Sequence, residues 1–150
     1  MEIRQYLVIS VLMISYAFSQ AAKPTVAILD FEGQGVDASE VQTLSERMRT
    51  EIGNTNAVRL IERKAVEKIM MEQGLQQSGC TSDECAAEVG QLLGVQFMIS
   101  GSIGKMGKSY TIDCKMFSVE TGETVRSKNA THDGDISGLL TEMEILAWEI

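Results

Sequence analysis

The spacing of apolar residues predicts strands that alternate with helices in the first half of the chain. Residues 25–31 are apolar at nearly every position, as in a central strand covered on both faces. Gly33 and Gly35 end this strand, and Asp37 or Ser39 caps the helix that follows. The helix is amphipathic, with apolar residues at spacings of three and four: Val41, Leu44, Met48 and Ile52.

A second strand and two more helices are predicted next. Residues 58–61 form a short strand, and the apolar positions at 65, 66, 69 and 70 predict a helix that stops at Gly74. After a polar loop, Thr81 or Ser82 caps a third helix, and Thr81 with Glu84 makes a possible capping box. The apolar positions of this third helix are Ala86, Val89, Leu92 and Leu93.

From Val95 onward the apolar period changes from 3.6 to 2, which predicts a three-stranded meander. The strands cover residues 95–103, 110–116 and 124–131, with turns at 104–109 and 120–123 where glycines supply the geometry. Asp133 and Asp135 precede a closing amphipathic helix. The predicted order is β-α-β-α-α-β-β-β-α, an α/β sandwich with a mixed sheet.

The first residues predict a cleavable signal peptide. Arg4 precedes an apolar run over residues 6–18, and the small residues Ala17 and Ser19 suit a cleavage site. The run is shorter than the ~20 residues that a membrane-spanning helix needs. We expect residues 1–19 to be removed; a retained anchor or a buried helix is the alternative. No cysteine lies near this region to carry a lipid, so we expect a periplasmic protein, with outer-membrane association as a further option.

Length and charge restrict the remaining possibilities. Residues 20–150 are enough for one domain with its own core. The net charge is −8 and no basic cluster stands out, so nucleic acid and anionic membranes are poor partners. Basic residues between Arg59 and Lys68 alternate with acidic ones, which is typical of a solvated, ion-paired helix face.

Two of the three cysteines, Cys80 and Cys85, predict a disulfide. An exported protein meets an oxidising compartment, and the C-x4-C spacing closes a small ring between a loop and a helix start. A redox motif would need C-x-x-C, and a zinc site would need four ligands where the chain has three cysteines and one histidine. Cys114 lies on the apolar side of its strand and is expected to be a buried free thiol.

No residue pattern supports catalysis, a cofactor or a metal. The stretch GSIGKMGKS from Gly101 imitates a phosphate-binding loop, but its glycine spacing is wrong and a strand follows it, so it predicts a hairpin turn. Asp30 and Glu32 begin an incomplete imitation of a calcium loop, with Val41 where the bidentate Glu should be. His132, the only histidine, fits a loop residue beside helix-capping aspartates.

Several segments together resemble the CsgG/HfaB-type family, which includes the curli secretion channel component. They are TVAILDFEGQGV, RLIER, LLGVQFMISGSI and VETGE, in an order that spans residues 25 to about 140. The fold of this family is similar to that of LpoB, the lipoprotein activator of penicillin-binding proteins, and of the TolB N-terminal domain. Unlike the curli channel, this chain has short, polar hairpins and no acylation cysteine, so a pore built by this chain alone is not expected.

The resemblance implies a non-catalytic periplasmic protein that assists the assembly or regulation of a cell-envelope machine, such as curli assembly or secretion. It implies envelope protein partners, with a homo-oligomer as an open option, and no cofactor. Two alternatives are an LpoB-like activator of a penicillin-binding protein and an oligomeric secretion channel component. The edges of the meander and the loop from Cys80 to Cys85 are the candidate contact regions.

Overall fold

The computed structural model describes residues 22–75 and 82–150. The predicted signal peptide, residues 1–19, lies outside this part of the chain, as do Cys80 and Thr81. The described elements follow one another in this order: β1 (Thr25–Ile28), β2 (Glu32–Gln34), α1 (Ala38–Thr55), β3 (Arg59–Leu60), α2 (Arg63–Glu72), α3 (Asp83–Leu93), β4 (Phe97–Met106), β5 (Ser109–Ser118), β6 (Thr124–Asp133), a 3-10 turn (Ile136–Gly138) and α4 (Leu139–Glu149).

The strands form one mixed sheet of six strands, one more than the five predicted, and the sheet contains the predicted three-stranded meander. Its order is β3-β1-β4-β5-β6, with β2 beside β4 beyond the end of β1. β1 runs parallel to β3 and β4, and β2 also runs parallel to β4. β4, β5 and β6 form the antiparallel meander.

The first strand, predicted over residues 25–31, is shorter in the structure, because β1 ends at Ile28 and a separate strand, β2, begins only at Glu32. The amide of Leu29 still donates to the Ile99 carbonyl at 3.0 Å, but the amide of Phe31 donates to Ser45 Oγ at 2.9 Å. This bond to α1 diverts the backbone from the sheet for a few residues. Pairing with β4 resumes at Glu32, so the glycines predicted to end the strand flank or belong to β2.

The helices form a layer on each face of the sheet, but the two layers differ in extent. α1 and α4 cover the first face, where the core includes Met48, Ile103 and Leu139. α2 and α3 pack on the second face only over β1 and the adjoining ends of β4 and β5, where Met98 and Phe117 are buried. The second face of the meander therefore lacks a helical cover in the described chain.

Capping residues fix the helix starts near the predicted positions. Asp37, not Ser39, is the N-cap of α1, and it forms a capping box with Glu40. The cap of α3 is Ser82, whose hydroxyl accepts a hydrogen bond from the Cys85 amide at 3.2 Å. No helix in the described part of the chain is long and apolar enough to cross a membrane.

A buried network of charges joins α1 and α2 at the end of β1. The carboxylate of Asp30 accepts hydrogen bonds from Arg49 and from Arg63, the latter at 2.9 Å. Glu46 bridges the same guanidinium groups at 3.1 and 2.9 Å. Burial lowers the pKa of Arg63, but the carboxylates of Asp30, Glu67 and Glu46 outweigh this effect and leave the pKa raised. Arg63 is thus structural, which corrects the expectation of a wholly solvated helix face.

Candidate functional site

The second face of the meander is a polar surface built on paired strands and left uncovered by the helices of the described chain. On β5, buried Ile112 and Cys114 point to the first face, so Thr111, Asp113 and Lys115 point to the second. The same alternation holds on the neighbouring strands. We call this surface the open face, and its residues are Glu32, Gln34, Ser100, Ser102, Thr111, Asp113, Lys115, Ser127, Asn129 and Thr131.

The pairing register arranges the open face in rows that cross the sheet. One row joins four strands through directly opposed residues: Glu32, Ser102, Asp113 and Asn129. The next row contains Ser100, Lys115 and Ser127. Because neighbouring strands lie about 4.8 Å apart, a row of four spans roughly 15 Å. This is a surface of mostly small polar side chains with a few charges among them, held in place by the paired strands.

The open face has an excess of negative charge. Glu32 and Asp113 lie in one row, and neither carboxylate has a basic partner among the ion pairs of the described chain. The cation of the face, Lys115, is paired with Asp83 at the start of α3 at 2.5 Å. A partner surface that carries Lys or Arg therefore complements this face.

A shallow cavity of about 250 Å³ lies where the open face meets the start of α3. Its polar wall includes Asp30, Glu32, Ser82, Ser100 and Lys115. Asp30 is held there by Arg49 and Arg63, so the buried network also fixes one wall of the cavity. The residues described contain no group of three potential metal ligands.

The structure tests only part of what the sequence predicts for the three cysteines. Cys85 lies in the first turn of α3, but Cys80 is outside the described chain, so their disulfide remains a prediction. Cys114 is buried, as expected, and its thiol is free. Burial raises the pKa of this thiol to about 11, with a smaller contribution from Asp113.

The glycine-rich stretch from Gly101 does contain the hairpin turn between β4 and β5, but the turn is shorter than predicted. Residues 101–106 belong to β4, and only Gly107, at a φ of 64°, and Lys108 connect the two strands. His132 is not a loop residue, because it lies in β6 opposite Tyr110. Asp135 does cap the following 3-10 turn, with its side chain accepting from the Ser137 amide at 2.9 Å.

Sequence reasoning found the two-faced meander but missed the contribution of β2 to this surface. Glu32 and Gln34 come after the predicted end of the first strand, and the sequence pattern around Glu32 indicates only an incomplete calcium loop. The alternation of polar residues with Ile112 and Cys114 on β5 is the sequence signal for the open face. The pairing of Glu32 with Ser102 has no local signal.

The fold and the open face define a class of protein: an α/β domain with one polar, uncovered sheet surface. Its family follows from the sequence, because the model of the peptidoglycan-synthase activator LpoB matches residues 5–131. The chain belongs to the LpoB family. No curated protein sequence is similar enough to this chain to be matched with it.

Solved structures agree with this fold. The C-terminal domain of LpoB from Escherichia coli has a TM-score of 0.62 and 16% identity, covering 81% of this chain and 93% of that one. Lipoprotein GNA1162 from Neisseria meningitidis has a TM-score of 0.66 and 11% identity, covering 84% and 94%. TolB from Acinetobacter baumannii has a TM-score of 0.56 and 13% identity, covering 85% of this chain and 27% of that one.

The family match corrects one expectation and supports another. Membership of the CsgG/HfaB-type family, with curli assembly and secretion as its roles, is wrong because the LpoB model accounts for most of the chain. The likeness to LpoB and to TolB is confirmed at the level of the fold. The quoted segments contain β1, β2 and most of β4 together with the adjoining turns, which are parts of the fold that the chain shares with LpoB and TolB, so they indicated the fold and not the particular family.

Proposed function

We propose that this protein activates a peptidoglycan synthase in the periplasm by binding it through the open face. The observation that carries the proposal is the family match over residues 5–131. The open face supplies a surface on which such binding can take place. The protein would act without catalysis, as a ligand of the synthase.

The proposal includes the route to the periplasm. Residues 1–19 would direct export and be removed, and the oxidising compartment would allow the disulfide between Cys80 and Cys85 to form. That disulfide would hold the loop before α3, whose start borders the cavity of the open face. The disulfide is therefore expected to support the local geometry of the site rather than to perform chemistry.

The open face suits protein binding for two physical reasons. Its side chains stand on paired strands and are mostly short, so little conformational entropy is lost when a partner binds them. Its carboxylates, Glu32 and Asp113, attract a basic partner surface, which speeds association and excludes acidic surfaces. The overall charge of −8 also favours association with a basic partner.

Binding alone does not activate an enzyme. The protein must bind the active conformation of the synthase more tightly than the inactive one, and a tenfold difference in affinity corresponds to about 1.4 kcal/mol. A rigid, preformed face is suited to this role because it fits one arrangement of the partner better than another. We therefore expect binding affinity and activation to change together when the open face is altered.

The test reverses one charge at the centre of the four-residue row. Asp113→Lys is compared with Glu120→Lys, a matched change at an exposed position in the turn between β5 and β6. Both variants change the net charge by the same amount. The probe is a purified bifunctional penicillin-binding protein from the same organism, with binding measured by interferometry and glycan synthesis measured from lipid II.

We expect Asp113→Lys to weaken binding by about tenfold or more and to lower activation in parallel, because like charges at an interface cost several kcal/mol. Glu120→Lys should remain within about twofold of the unmodified protein, as is usual for a charge outside an interface. If Asp113→Lys binds and activates normally, the open face is not the contact surface. If no synthase of the organism binds or responds to the unmodified protein, the proposed function itself is wrong.

A further inference from the structure

The outer strand of the meander, β6, presents a free backbone edge. Within the described chain β6 pairs only with β5. The Gly134 amide donates to the Lys108 carbonyl at 3.0 Å, directly beside the pair formed by Ser109 and Asp133. Because hydrogen-bonded and non-hydrogen-bonded pairs alternate in an antiparallel ladder, the even-numbered residues of β6 direct their backbone groups toward β5.

The odd-numbered residues of β6 consequently direct their N–H and C=O groups outward. These residues are Ser127, Asn129, Thr131 and Asp133, and all four are exposed. The first three also place their side chains on the open face. The free edge and the open face thus meet along the same residues.

From Arg126 onward this edge has little of the usual protection against pairing with another strand, and the irregularity in its pairing with β5 lies at its start, between Thr124 and Arg126. β6 is ten residues long and contains no proline. Its basic residues Arg126 and Lys128 lie on the first face, where they contact Glu149 of α4 at 3.2 and 3.3 Å. Their charges are therefore directed away from the outward backbone groups of β6. Natural proteins normally shorten, bend or charge an exposed edge strand, so a long edge of small polar residues marks a site for strand addition.

We propose that β6 accepts an extended segment of the synthase as an additional strand of the sheet. This inference rests on the proposed function, since the synthase supplies the segment. Charge defines the segment further. Its side chains on the open face would be basic or small, because they continue the row of Glu32 and Asp113 and lie near Asp133. Its side chains on the other face would be polar, because they meet His132 and Lys128, which is already paired with Glu149.

A second copy of this chain is the less suitable occupant of the edge. Two copies would bring together two molecules of charge −8, and self-pairing centred on β6 would place basic side chains of the two first faces near each other. A single added strand is also a narrow contact, whereas a standard stable interface buries about 1,200–2,000 Å². A heterologous segment that combines strand addition with docking on the open face avoids both difficulties.

The decisive variant removes one outward amide and leaves the pairing with β5 intact. Thr131→Pro deletes the outward N–H and places the proline ring in the path of an added strand. Thr131→Val is the matched control, because it keeps the amide and the shape of the side chain. Ser127→Pro repeats the test at an independent position, and circular dichroism with urea unfolding establishes that each variant is folded.

The proposal predicts that both proline variants bind the purified bifunctional penicillin-binding protein at least about tenfold more weakly, whereas Thr131→Val stays within about twofold. It also predicts that the amides of Ser127, Asn129 and Thr131 exchange with deuterium much more slowly in the complex than in the free protein. Normal binding by folded proline variants, or unchanged exchange in the complex, would overturn strand addition.

The outcomes separate this inference from the proposed function. If Asp113→Lys loses binding while both proline variants bind normally, the open face is the contact surface and strand addition is wrong. If light scattering shows a dimer that Thr131→Pro converts to a monomer, β6 pairs with a second copy of this chain, and the proposed occupant is wrong.

Discussion

The buried charge network at the end of β1 gives a quantitative test of the fold. Asp30 accepts hydrogen bonds from two arginines, and its side chain is 13% exposed, beside Arg49 at 8% and Arg63 at 22%. Asp30→Asn keeps the size of the side chain but replaces a carboxylate oxygen with an amide that also donates hydrogen bonds. The two guanidinium groups then share only one anion, the more exposed carboxylate of Glu46.

The expected cost follows from burial. Breaking a buried ion pair by removing one partner costs about 3–5 kcal/mol, because a charge is left buried without compensation. Glu46 still contacts both arginines and is 45% exposed, so it offsets part of this loss. We therefore expect Asp30→Asn to lower the free energy of unfolding by about 2–4 kcal/mol, which corresponds to a fall in Tm of roughly 10 °C.

Equilibrium unfolding in urea measures this change, with Lys68→Ala as the contrast. Lys68 and Glu72 are 3.9 Å apart and 75% and 53% exposed, so losing this pair should change stability by no more than about 0.5 kcal/mol. A double-mutant cycle of Asp30→Asn with Arg49→Met should show a coupling of at least about 1 kcal/mol. Equal effects of Asp30→Asn and Lys68→Ala, or no coupling in the cycle, would refute the reasoning.

Three further predictions concern packing, the free thiol and acid stability. Gly101→Ala should cost about 1–3 kcal/mol in urea unfolding, because its Cβ would lie 2.5 Å from a backbone oxygen and 2.6 Å from the Phe31 ring. Gly53→Ala in helix α1, where a Cβ meets nothing within 4 Å, should instead stabilise by about 0.5–1 kcal/mol. Cys114, with a pKa of about 11, should be alkylated by iodoacetamide in peptide mass analysis only as fast as the protein opens, and rapid labelling of the native state would contradict its burial. Hydrogen bonds from the Ser39 side chain and amide hold the pKa of Asp37 below its ordinary 3.8, so its stabilising effect is complete above that pH and is lost as the pH falls through the folded-state value. Asp37→Asn should therefore flatten the dependence of the urea midpoint on pH below 4, and an unchanged slope would argue against this cap.

Much of the fold could be predicted from periodicity, because the faces of its elements are either buried or solvated. The alternation on β5 placed Ile112 and Cys114 in the core and Asp113 toward solvent, and the structure agrees. The helices α1 and α3 also begin within a residue or two of their predicted starts. The sequence pattern was sufficient to predict an element wherever the burial of its own residues determines its position.

The parts that could not be predicted depend on contacts between distant residues. The amide of Phe31 leaves the first strand for Ser45, and this bond separates β2 from β1. The pairing of Glu32 with Ser102, which completes the four-residue row, joins positions 70 residues apart. Arg63 looked like a surface residue because its partner Asp30 is 33 residues away. These non-local contacts form the site, so the sequence alone could indicate only that the meander has a polar side.

The central claim is that the protein activates a peptidoglycan synthase through the open face. The most direct measurement is the rate of glycan-strand synthesis from lipid II by a purified bifunctional penicillin-binding protein of the same organism. It is compared without addition, with the unmodified protein, and with Asp113→Lys at equal concentration. We predict that the unmodified protein raises the rate and that Asp113→Lys raises it much less. No increase with the unmodified protein, or an equal increase with both proteins, would contradict the claim.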